Sequence, residues 1–76
     1  MNPERLILER LSELHPHMLA ENVLWSAMRM DVKNYSLTDL RAECRKLEAK
    51  GQILIVSNED TTFIKITTGG LARLAE

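Results

Sequence analysis

Residues 36–55, SLTDLRAECRKLEAKGQILI, change hydrophobic period once, and that single change limits what the chain can fold into. Leu37, Leu40, Cys44 and Leu47 stand at i, i+3, i+7 and i+10, so they share one stripe of a 3.6-residue helix that faces a core. Ser36 can accept a backbone N–H of the first turn, and Asp39 places negative charge at the positive end of the helix dipole. Gly51 suits the left-handed C′ position, with Lys46 and Lys50 near the negative end, so the helix over 36–50 stops before Gln52. Beyond it the apolar residues alternate, which is the period of a strand.

The strand signal continues as a hairpin. Gln52–Val56 and Thr62–Thr67 are rich in isoleucine, valine, threonine and phenylalanine, and Ser57-Asn58-Glu59-Asp60-Thr61 between them has turn chemistry. Ile53, Ile55, Ile64 and Ile66 share the parity expected of the face against the helices. Leu54, Val56 and Phe63 are left on the opposite face as an apolar row that a monomer would expose, which points to a homodimer. Thr67-Thr68-Gly69-Gly70 is expected to break the strand, and Leu71, Leu74 and Ala75 to form a short last helix.

Two helices precede the central one. Pro3 and Glu4 fit a first turn, and Ile7, Leu11 and Leu14, widened by Leu8, give a helix running to about Leu14. His15-Pro16-His17 ends it, because a residue before proline avoids the helical region. That histidine spacing is not a usual metal-ligand pair, so both are read as loop residues. From about Leu19 to Met30 a second helix follows, with Val23, Ala27 and Met30 on one line and Leu24 and Met28 on the next. Trp25 points in a third direction. Apolar groups this far around a helix mean that it is either wrapped by the domain or covered in part by another chain at Trp25 and Met28.

Charge is distributed rather than abundant. The net value is −1, yet residues 1–31 carry a balance of −2 and residues 32–50 one of +2. The outer face of the central helix holds Thr38, Arg41, Ala42, Arg45 and Lys46, a pattern suited to a major groove of DNA and equally to a solvated helix face. At 76 residues the chain is one domain. No run of 18 apolar residues is present, and acidic residues lie within the first ten positions. A membrane span and a signal peptide are therefore not expected, and the protein is read as cytoplasmic. The single cysteine, Cys44, lies in the core stripe and reads as a small hydrophobe. No phosphate loop, metal motif or nucleophile–base pair of recognisable spacing stands out, so no enzyme activity, cofactor or small-molecule substrate is expected.

The order helix, helix, helix, hairpin, with LRAECRKLEAKGQILI followed by FIKITTGGLARLAE, resembles the winged-helix members of the helix-turn-helix class over about the whole chain. The likeness rests on a helix ending in leucine, acid, small residue, lysine and glycine before an apolar strand, and on a returning strand that leads into a helix-starting leucine. It implies an α+β winged helix: a three-helix helix-turn-helix core, a C-terminal β-hairpin wing and a short last helix. It further implies that residues 36–50 are the recognition helix and residues 58–60 the wing tip. Double-stranded DNA would then be bound through Lys33, Ser36, Thr38, Arg41, Ala42, Arg45 and Lys46. The small size is similar to that of short winged-helix proteins of phages and prophages. One departure is visible, since Glu59 and Asp60 put negative charge where DNA-binding wings usually carry arginine or lysine. Two functions follow as expectations: a homodimeric transcriptional regulator, or a protein-interaction module using Trp25, Met28, Leu54, Val56 and Phe63.

Overall fold

In a computed structural model, which describes residues 2–76, Asn2 opens the first helix. Its Oδ1 accepts the N–H groups of Glu4 and Arg5 at 3.0 and 3.4 Å, satisfying donors that have no intrahelical partner. Helix α1 spans Pro3–Ser12, two residues shorter than its apolar spacing suggests, because the chain turns repeatedly from Glu13 onward. Helix α2 covers Glu21–Asp31 and α3 covers Leu37–Ala49. The first strand, β1, is the two residues Leu19–Ala20. β2 is Ile53–Ser57, β3 is Thr62–Ile66, and the last helix, α4, is Thr68–Leu74.

Over the described residues the protein is α+β, with four helices and a three-stranded antiparallel sheet in the order β1-β3-β2. The hairpin therefore gains a third strand at β3, where Leu19 pairs with Ile64 and Ala20 with Phe63. On the other side Ile55 lies opposite Ile64, and Val56 opposite Phe63. The outer face consequently carries Ala20, Phe63 and Val56 in one row across the sheet, with Lys65 and Leu54 in the next.

The inner face closes the core. Ile53, Ile64 and Ile66 meet Ile7, Leu8 and Leu11 of α1, Leu24 and Met28 of α2, and Leu40, Cys44 and Leu47 of α3. Full burial of side chains such as Leu24 and Leu40 contributes about 1.5–3 kcal/mol each, which is how a chain this short holds together. The α3 stripe is as its spacing predicts, with Leu37 packed at its margin. On α2, the Leu24 and Met28 line faces inward, whereas Val23 is half exposed and Met30 is 86% exposed.

The start of α4 differs from its sequence reading. Gly69 and Gly70 do not separate strand from helix but form its first turn, capped by Thr67, whose Oγ1 accepts the Gly70 N–H at 3.2 Å. Close packing explains the two glycines. A Cβ on Gly70 would lie 2.2 Å from the Gln52 carbonyl oxygen, and one on Gly69 would lie 2.8 Å from that of Gly51. Gly51 itself has φ +74°, the left-handed conformation that ends α3.

Candidate nucleic-acid interface

The start of α3 is fixed by a reciprocal cap. The Asp39 N–H donates to Ser36 Oγ at 3.0 Å, and the Ser36 N–H donates to the Asp39 carboxylate at 3.0 Å. The Ser36 backbone N–H, and after it the Ser36 side chain, hold the Asp39 carboxyl below the ordinary carboxylate range. Ser36 thus has a structural task at the site where DNA contact is expected of it.

From this cap α3 extends for 13 residues, about 20 Å, with its core stripe fully committed inward. Its outward face presents Thr38, Ala42, Arg45 and Lys46, all exposed, and neither cation is paired with a carboxylate among the described residues. Lys33, in the connector 32–35 between α2 and the Ser36 cap, is exposed and has no carboxylate partner among the described residues.

Arg41 stands apart from the others expected beside it. Its guanidinium forks onto Glu21 at the start of α2, with Nε at 3.2 Å and Nη2 at 3.1 Å from the two carboxylate oxygens. This bidentate pair ties α3 to α2 and offsets the charge of Arg41. Glu43, which opposes DNA if it faces outward, is also engaged: it accepts the phenolic O–H of the buried Tyr35. Burial and the neighbouring carboxylate raise the Tyr35 hydroxyl far above its usual range, so it stays a donor.

The residues expected at a partner surface divide. Met28 is 0% exposed and belongs to the core, so it is not available to another chain; the apolar line through it faces inward. Trp25 is half buried, and its Nε1–H donates to the Tyr35 carbonyl at 3.1 Å, closing the connector against α2. Leu54, 44% exposed, and the half-buried Val56 and Phe63 do lie together on the outer sheet face.

Arg29 was not singled out by the sequence reading. Its guanidinium carbon lies 4.7 Å from the centroid of the Trp25 ring, and the two residues line one concavity with Lys33 and Ser36. The signal was available in the i, i+4 spacing of Trp25 and Arg29 on a helix.

Cys44 faces the core beneath α3, and its thiol is pushed up to about 12, first by burial and then by Glu21, Glu43 and Glu48. A thiol so held stays protonated at neutral pH and packs as a small apolar side chain. Among the described residues no three His, Cys, Asp or Glu side chains are grouped to hold a metal ion, and no helix is long and apolar enough to cross a membrane. No family model matches the chain, and no curated protein or solved structure is detectably similar to it.

Proposed function

We propose that this protein is a small winged-helix DNA-binding protein, a transcriptional regulator acting as a homodimer, with residues 36–50 as its recognition helix. The observation that carries the reading is the outward placement of Arg45 and Lys46 on α3. Arg5, Arg10, Arg41, Lys50 and Arg73 are each bonded to a carboxylate, whereas Arg45 and Lys46 on the outward face of α3, and Lys33 before it, are not. Arg29 and Lys65 are likewise unpaired among the described residues, and Asp39, Glu43 and Glu48 balance Lys33, Arg45 and Lys46 over residues 32–50. The reading therefore rests on the outward placement of Arg45 and Lys46 on α3 and not on a net positive charge there. Thr38 and Ala42 on that face are small enough to let the helix approach base edges, and the cations supply phosphate contacts. Regulation follows by occupancy of an operator, with the Leu54, Val56 and Phe63 row joining two copies.

The test is a titration of purified protein with mixed-sequence DNA fragments at low and moderate salt, read by anisotropy. Binding that weakens steeply with salt, and that is lost in Arg45→Ala with Lys46→Ala while thermal stability is kept, is the expected result. Absence of binding at low salt rejects the reading.

The acidic residues Glu59 and Asp60 at the exposed β2–β3 turn, together with the outer apolar row, favour a second reading, a protein-interaction module on the same scaffold. It predicts no DNA affinity at any salt, and loss of partner binding on Leu54→Asp.

A further inference from the structure

We propose that Arg29 and Lys33 form a phosphate clamp beside the start of α3, which grips one backbone phosphodiester of the duplex while Arg45 and Lys46 contact the same duplex near the helix end. This inference rests on the DNA-binding reading and adds to it a site that the outward face of α3 does not contain.

Arg29 is oriented without being neutralised. Arg5, Arg10, Arg41, Lys50 and Arg73 are held by carboxylates, but the guanidinium of Arg29 is held by the face of Trp25 at 4.7 Å. Contact with the ring face uses none of the five N–H donors in a bond to a carboxylate, so they are open to an anion. The ring is pinned in turn by its Nε1–H bond to the Tyr35 carbonyl. A side chain restrained before the ligand arrives loses less rotamer entropy on binding it.

None of the nearby carboxylates is bonded to Arg29 or Lys33 among the described residues. Asp31 bonds Arg10, Asp39 closes the cap on Ser36, and Glu43 accepts from Tyr35. Lys33 lines the same concavity and has no carboxylate partner. The start of α3 lies there as well, at Ser36, with its positive end offset by the Asp39 carboxylate, so the attraction for an anion comes from Arg29 and Lys33.

The spacing fits a duplex. Ser36 and Lys46 are ten residues apart, about 15 Å along the helix axis. A major groove is about 12 Å wide, so α3 is long enough for a phosphate contact beside its start and further contacts from Arg45 and Lys46 near its end to fall on one duplex.

Trp25 is the only tryptophan of the chain, so its emission reports on the clamp directly. The experiment titrates the full chain with a mixed-sequence duplex, and separately with inorganic phosphate, following Trp25 emission and duplex affinity across a salt series. Duplex binding is expected to change the emission. Arg29→Ala should weaken binding about tenfold and flatten the salt slope by about 0.9, the signature of one lost phosphate contact. Arg29→Lys, which keeps charge but not the stack, should retain the slope at intermediate affinity. If Arg45→Ala weakens duplex binding while Arg29→Ala leaves slope and affinity unchanged, the clamp is wrong and the DNA reading stands. If the unaltered protein shows no salt-sensitive duplex binding, both fall. An equal emission response to inorganic phosphate without any to the duplex overturns the clamp in favour of a free-anion site.

Discussion

Replacing Gly70 by alanine sets two effects of opposite sign against each other, and the structure decides between them. In a helix, alanine is favoured over glycine by up to about 1 kcal/mol, so sequence propensity alone predicts stabilisation. The added Cβ, however, would lie 2.2 Å from the Gln52 carbonyl oxygen and 2.6 Å from Ile66 Cγ1. Carbon and carbonyl oxygen normally approach no closer than about 3.3 Å, so α4 and the β2 entry must part by about 1 Å. The Gln52 carbonyl has little room to give, since it accepts the Thr67 N–H at 3.1 Å. Overpacking of this kind costs about 3 kcal/mol, at the upper end of its usual range, which leaves a net loss of about 2 kcal/mol. For a domain of this length that lowers Tm by about 8–16 °C. The assay is thermal and urea unfolding followed by circular dichroism, with Gly51→Ala as a control that has open space and only the left-handed backbone to lose. A Gly70→Ala protein as stable as the parent, or more so, would refute the reasoning.

Three further outcomes are expected. Because the folded-state pKa of Asp39 is depressed, its contribution is complete above the unfolded value of about 4 and disappears as pH falls through the lower folded value. Asp39→Asn should therefore flatten the acid side of a Tm-against-pH profile, and an unchanged profile would count against the cap as the cause. Cys44, buried and with its thiol pushed up to about 12, should react with a disulfide reagent at pH 8 only as fast as the protein unfolds; prompt labelling of the native protein contradicts this. Phe63→Asp or Leu54→Asp should yield monomer in sedimentation with helical content retained, and unchanged mass would remove the outer row as the dimer contact.

What the residues disclose and what they conceal follows from the range of the interactions. The stripe of α3, its Ser36 cap and its Gly51 stop rest on neighbours a few positions apart, and all three are legible in the sequence. Strand β1 is not, because two residues carry no period; Leu19 and Ala20 become a strand only by pairing with Ile64 and Phe63. Helix α2 offers two apolar lines, and only packing selects Leu24 and Met28 over Val23 and Met30. Gly69 and Gly70 read as a break because glycine is an ambiguous letter, open to turns and to close contacts alike. At the candidate site, the outward positions of α3 follow from helical spacing. The partner of Arg41 lies 20 residues away on another helix, and no local rule supplies it.

Helices α1 and α4 pack on one another, and the Arg5 guanidinium reaches the Leu74 carbonyl at 3.2 Å. The first and last helices are thus neighbours although they are the most distant elements along the chain. Order along the chain and order in space are separable here: a circular permutant of residues 2–76, rejoined by a short flexible linker from Glu76 to Asn2 and opened between Asn58 and Asp60 in the exposed β2–β3 turn, is expected to keep the α1–α4 contact and the rest of the core. Such a permutant moves fusion points and labels to the tip of the hairpin.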